Sequence, residues 1–410
     1  MIHVKLIKYF YLGLTLLVLV CPIKLSFLDF LPGLILMWFF YFLFYTGTKH
    51  VGSNPQVDLN VLVVKDKSKY IFIVALFYLL FYPIYIKFYT GSSVISAITA
   101  SFNGISNYEL YQKNFADSNL SDFSLSKLPL ILGHGCLRFL FIVIVFRSIA
   151  YKEKMLLLEK ISIFIMAITI VIVGLARGTS FELFELFIIF IYGYVSKRVL
   201  LNKGSLFPVK TVFRLLFIVF LLSSYFVHNI NVRMGDAFDY LELSDFDKNS
   251  IIYNISKPLA VILYSLYGYF LFGLYFNSVA IVNLWFTSFS GFFSVFIPSG
   301  IAIFGIDSDY RKYVSKFIDV AAMWHPDSII YIESFGIIIT MIMIYLIGRF
   351  SKKIYGNINN DIASLILLFF VFYIFISMPM GNFISSSSAN KIVILLALIC
   401  YKFKFLKIES

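Results

Sequence analysis

Apolar runs long enough for a membrane-spanning helix recur along this chain, at about 6–22, 27–46, 70–88, 128–147, 158–176, 181–196, 212–229, 328–348, 362–379 and 391–406. At about 1.5 Å of rise per residue, a hydrocarbon layer of roughly 30 Å takes about 20 residues of helix. The pattern therefore predicts an all-α polytopic integral membrane protein with about ten transmembrane helices, folded as a single membrane domain over residues 1–410. Composition agrees. Only 14% of residues are charged and 60% are hydrophobic, with a mean hydropathy of +0.89, whereas about 25% charge is usual in soluble domains. Cys21, Cys136 and Cys400 lie far apart, with neither a metal-ligand spacing nor a disulfide framework.

Charge placement gives an orientation. With the N-terminus in the cytoplasm, the basic clusters Lys65–Lys67–Lys69, Lys152–Lys154–Lys160, Lys197–Arg198–Lys203–Lys210, Arg349–Lys352–Lys353 and Lys402–Lys404–Lys407 all fall on the cytoplasmic side. That is the positive-inside pattern. The net charge of +12 is then a topology signal, and no nucleic-acid partner is expected. Lys5 and Lys8 accompany the first run as they would in a signal peptide. Val20–Cys21–Pro22 offers a poor cleavage site, so the run is expected to remain as the first span.

Two outer loops are long, 89–127 and 230–327. The second opens acidic and polar, then turns apolar and aromatic with no charge over 258–305. Interfacial or re-entrant helices are expected there. Two short extra spans, for a total of twelve, are the alternative.

The notable polar residues cluster on the outer side. Arg177 ends the fifth span in "GLARGTSFELFEL", and Arg233 follows the seventh in "VHNINVRMGD". Two guanidiniums on one face suit a diphosphate, because the planar fork binds phosphate oxygens bidentately. Thr179 to Glu182 reads as a capping box, which leaves Glu185, one turn deeper, to pair with an arginine. His134 and Arg138 share a helical face in "LGHGCLRFL". Arg138 lies about 15 Å below the outer boundary, where an unpaired arginine costs at least ~2.5 kcal/mol. It should meet a polar cavity or a carboxylate such as Glu185. Asp307–Ser308–Asp309 has the form of a metal-binding DxD, but its plainer reading is a solvated loop. In "AAMWHPDSIIYIESFG", Pro326 suits the first turn of a helix and makes His325 its N-cap. A helix N-terminus disfavours imidazolium, which leaves a neutral imidazole able to act as a general base. Asp327 would orient that ring.

The layout and the segment His325–Pro326–Asp327–Ser328, then Glu333 and Gly336, resemble the Wzy-type O-antigen polymerases and the related O-antigen ligases. The "ARGTS" at 176–180 is similar to the arginine-bearing loop of the polymerases, while Asp327 departs from the His or Asn that many relatives carry. The resemblance implies a C-type glycosyltransferase-like fold in the bacterial inner membrane. It implies polymerisation of undecaprenyl-diphosphate-linked oligosaccharide repeat units at the periplasmic face. His325, Asp327 and Glu333 would be catalytic, Arg177 and Arg233 diphosphate-binding, and His134, Arg138 and Glu185 cavity-lining. No cofactor or metal is implied. The partners would be the lipid-linked donor and acceptor, the bilayer and a chain-length regulator protein. A ligase using the same donor, or a flippase or transporter of lipid-linked sugars, are the rival readings.

Overall fold

The computed structural model describes residues 1–49, 66–102, 107–117, 125–201, 207–234, 245–284, 326–381, 383–385 and 387–408. The described residues contain no β-strand, only isolated bridges joining Ile23 to Phe246 and Asp361 to Lys407. The first helices are α1 (Ile2–Val20), α2 (Phe27–Lys49), α3 (Ser68–Thr90), α4 (Val94–Phe102) and α5 (Asn107–Asp117). There follow α6 (Leu128–Ala150), α7 (Leu157–Arg177), α8 (Phe181–Leu200), α9 (Val209–Met234) and α10 (Ile251–Ile255). The last are α11 (Lys257–Phe270), α12 (Phe272–Leu284), α13 (Asp327–Tyr355), α14 (Ile362–Met380) and α15 (Ser388–Phe403).

Each apolar run of the sequence lies on a helix. Seven of these helices are long and apolar enough to cross a membrane, or eight if α11 and α12, bent by 44° at their junction, count as one broken span. The chain is thus a multi-pass, all-α membrane protein. Of the other three runs, 212–229 lies on α9, many of whose side chains lie outside the described residues, and those at 181–196 and 391–406 fall short of that standard for visible reasons. α8 carries Glu182, Glu185, Lys197 and Arg198, and α15 is 16 residues long. Within 258–305 the described part is a bent helix pair, and the remainder lies outside the described residues.

Two compact units make up the chain. The first comprises Met1–Gln56, Phe238–Gly356 and Leu367–Lys391. Lipid tails are as apolar as leucine, so close helix contact in a bilayer depends on small residues that let backbones meet. α2 and α13 cross at Gly47 and Gly348. A Cβ at Gly47 would lie 2.2 Å from the Tyr345 carbonyl oxygen, and one at Gly348 would lie 2.3 Å from that of Phe44. Gly33 brings α2 equally close to α12, and its N–H donates to Ser278 Oγ at 2.9 Å. The buried Tyr11 hydroxyl donates to the Phe375 carbonyl at 3.0 Å. The turn after α1 pairs with the segment before α10, with Lys24 N to Asp245 O at 2.9 Å and Asp247 N to Pro22 O at 3.0 Å.

The second unit comprises Val57–Ala237, Asn357–Ile366 and Ile392–Ser410. Here α3 packs on α7 and α6 on α8. The Tyr78 hydroxyl donates to the Leu137 carbonyl at 2.7 Å, tying α3 to α6. The loop 89–127 is structured. α5 presents Asn107 and Asn114, seven residues apart and so on one face. Asn107 Nδ2 donates to the Leu175 carbonyl at 3.0 Å, near the end of α7, and Asn114 Nδ2 donates to the Tyr89 carbonyl at 3.0 Å, at the end of α3. Asn114 thus meets a carbonyl in the last turn of α3, and Asn107 adds a second donor to one that already accepts from Gly178 N at 3.0 Å.

Candidate functional site

The corner between α7 and α8 is built around Arg177. Gly178 ends α7 in the left-handed region, at φ +62°, a conformation that glycine reaches without strain. Its lack of a side chain also admits α5, because a Cβ there would lie 2.5 Å from Tyr108 N. Arg177 Nη1 donates to Glu182 Oε1 at 2.5 Å, and Thr179 Oγ1 donates to Glu182 Oε2 at 2.7 Å. The expected capping box is therefore rearranged. The N-cap of α8 is Ser180, with no side-chain cap hydrogen bond. The guanidinium claims the carboxylate that would otherwise reach back to a backbone amide, because a charge-assisted bond is the stronger one. The guanidinium also lies over the Tyr111 ring, 5.2 Å from its centroid. Asn107 and Asn114 flank Tyr111 on α5 and hold that ring in place. The Arg177 side chain keeps 32% of its exposure, against 7% for Glu182.

One turn deeper, Arg138 of α6 forms an ion pair with Glu185 of α8, with side-chain exposures of 12% and 4%. The cost of a buried arginine is met by a carboxylate rather than by water. His134 stands one turn before Arg138 on α6. Its ring stacks on Tyr85, with centroids 4.6 Å apart, and its Nδ1 lies 3.1 Å from the Tyr82 hydroxyl. Glu182 and Glu185 thus line one face of α8 with two ion pairs, flanked by an aromatic wall from α3. Tyr85 and Tyr111 were not evident from the sequence, where tyrosines at helical spacing read as ordinary membrane-helix residues.

In the first unit, the segment after His325 forms a knot. His325 itself, Asp307 and Asp309 lie outside the described residues, as do the side chains of Arg233, His228 and Glu333. α13 begins one residue later than expected, at Asp327, with Pro326 as N-cap. The Asp327 carboxylate is fully buried and turned to the α14–α15 loop. It accepts from Ile384 N at 3.1 Å, from Ser385 N at 3.2 Å and from the Ser385 hydroxyl. Burial pushes its pKa above the ordinary carboxylate range, against the pull of these donors. The Ser328 hydroxyl donates to the Met378 carbonyl at 2.6 Å and also meets Asn277 Oδ1. A hydroxyl has one proton, so with it given to Met378 the Asn277 amide must turn its NH2 toward Ser328.

The helix then breaks. Gly336 stands at φ +73°, ψ 159°, a conformation confined to glycine, and among the described residues nothing lies within 4 Å of where its Cβ would be. This glycine is needed for its backbone. The membrane-spanning part of α13, Phe335–Tyr355, begins at the break. The Thr340 hydroxyl meets the carbonyls of Gly336, at 2.9 Å, and Tyr331, at 3.2 Å, and so satisfies backbone that the break leaves open.

Near this knot, Asn390 and Lys391 open α15. The Asn390 side chain is fully buried, and its Nδ2 donates to the Phe383 carbonyl at 2.9 Å. Lys391 is half-buried. The signal that could have found it is the one that marked Arg177, a basic residue on the side that the charge pattern leaves poor in them. Among the described residues no group of three or more His, Cys, Asp or Glu side chains could hold a metal ion. Comparison with protein-family models, curated proteins and solved structures found no match to this chain.

Proposed function

We propose that this protein is a glycosyltransferase of the bacterial inner membrane that polymerises undecaprenyl-diphosphate-linked oligosaccharide repeat units at the periplasmic face, with both termini cytoplasmic. The observation that carries this reading is Arg177, a guanidinium at the end of a span, oriented by Glu182 and Tyr111 and a third exposed. In the proposed reaction an acceptor sugar hydroxyl attacks the anomeric carbon of the donor. The bond from that carbon to the diphosphate breaks as the new glycosidic bond forms. The acceptor proton passes to His325, and undecaprenyl diphosphate leaves with its new charge balanced by Arg177 and Arg233.

The loop contacts support the alternation of the segments between two sides. Segments assigned to the outer side meet one another: 22–24 with 245–247, Asn107 with Leu175, and Asp327 with Ile384 and Ser385. Segments assigned to the inner side do the same: Tyr151 with Ile358, Glu153 with Lys197, and Asp361 with Lys407.

The test is polymer formation by purified protein given a lipid-linked repeat unit as both donor and acceptor, in the presence of EDTA. Absence of polymer under conditions where the protein is folded and binds the donor would remove the reading. A ligase differs only in its acceptor, and transfer to a lipid A-core acceptor in the same assay would identify one. A second reading, a transporter of lipid-linked sugars, is favoured by the Arg138–Glu185 pair, since charged pairs inside spans are a common way to line a path.

A further inference from the structure

At the start of α15 two neighbouring side chains lack complementary partners. Asn390 is fully buried and its Oδ1 has no hydrogen-bond partner among the described residues. Its orientation is fixed, because its Nδ2 must face the Phe383 carbonyl, an acceptor. The open atom is therefore an acceptor that calls for an O–H or N–H. Lys391 is half-buried, and its ammonium makes no hydrogen bond or ion pair among the described residues. It calls for an anionic oxygen. The charge that acts on it is Asp327, whose oxygens already accept from Ile384 and Ser385. Lys391 also sits in the first turn of a helix, where the macrodipole repels a cation. An ammonium placed against both burial and the dipole is stabilised by an anion beside it.

We infer that Asn390 and Lys391 form a binding site for a phosphate group that carries a neighbouring hydroxyl, and that its occupant is the glycosyl phosphate end of a polyprenyl-diphosphate-linked saccharide. The identity of the occupant rests on the polymerase reading above. The phosphate oxygen takes the Lys391 ammonium, and a sugar hydroxyl donates to Asn390 Oδ1. Phosphatidylglycerol has the same pair of groups, so it is the competing source. The site belongs to the same unit as the His325–Gly336 segment, and supplies that unit with a cation of its own.

The experiment uses the full chain in phosphatidylcholine nanodiscs, with two probes: farnesyl diphosphate carrying one N-acetylhexosamine, and farnesyl diphosphate alone. Lys391→Ala is expected to weaken both probes about tenfold or more, the effect of losing one charge-assisted bond, and Lys391→Arg to retain most of the affinity. Asn390→Ala is expected to weaken the glycosylated probe alone. Thermal unfolding of each variant checks folding, and Asn390→Ser takes over the test if Asn390→Ala does not fold. Unchanged affinity of Lys391→Ala for both probes overturns the site. Equal competition by phosphatidylglycerol overturns the glycan assignment. Polymer formation by a wild type whose Lys391→Ala variant binds normally would sink this inference alone, whereas Lys391-dependent binding without polymer would sink the polymerase reading and leave the site standing.

Discussion

Arg177 and Glu182 are joined across the α7–α8 corner by a 2.5 Å bond from Nη1 to Oε1. The bond fixes one edge of the guanidinium, and the side chain as a whole keeps 32% of its exposure. Glu182 is thereby a positioning residue for Arg177. Glu182→Ala is expected to lower polymer formed per folded molecule about tenfold, the worth of one hydrogen bond to a charged group. Arg177→Ala and Arg233→Ala are expected to abolish polymer while protein abundance holds, with Lys at either position recovering only part, since it keeps the charge but not the fork. The double variant Arg177→Ala/Glu182→Gln controls for the carboxylate left unpaired. Full activity in both alanine variants would remove the diphosphate assignment.

Arg138 and Glu185 make the deeper pair, and it is expected to act in stability. Removing one partner strands a buried charge, at a cost of about 3–5 kcal/mol. Arg138→Met should therefore lower the unfolding temperature in detergent, and adding Glu185→Leu should restore most of it. Under the polymerase reading the double variant keeps its activity. Loss of activity in a stable double variant would instead favour the transporter reading.

Gly336→Ala is expected to destabilise the protein by about 1–3 kcal/mol through backbone strain, since the position stands at φ +73°. Thermal unfolding measures it. A neutral effect would mean that α13 runs unbroken in the working protein.

The orientation predicts that reporter fusions at Lys203 and at Asp245 report opposite sides of the membrane, cytoplasmic and periplasmic respectively. The same side for both is incompatible with it.

His325 contributes as a base only while neutral, so polymerisation is expected to fall as pH drops through its pKa. His325→Ala is expected to cost about 10²–10⁴-fold in rate with donor affinity nearly unchanged. A variant keeping more than about a third of the wild-type rate would direct the search for the base to Asp327, Glu333 or His228.

The sequence by itself determined the helices, the membrane and the alternation of charge, because each depends on local composition. A run of apolar side chains must be helical in lipid, where every backbone amide needs a partner within its own segment. It also marked Arg138 as needing a polar cavity or a carboxylate, since the energetic penalty of a bare guanidinium is local too. What only the tertiary structure decided are the partners. Glu182 went to Arg177 rather than to a cap, because α5 brings Tyr111 to the same corner and completes a site for the cation. Asp327 turned to Ile384 and Ser385, more than fifty residues away in the chain. Gly336 broke a helix that the hydropathy pattern drew as continuous. Those outcomes depend on which donors and acceptors packing brings within about 3 Å of one another, and neither periodicity nor charge along the chain carries that information.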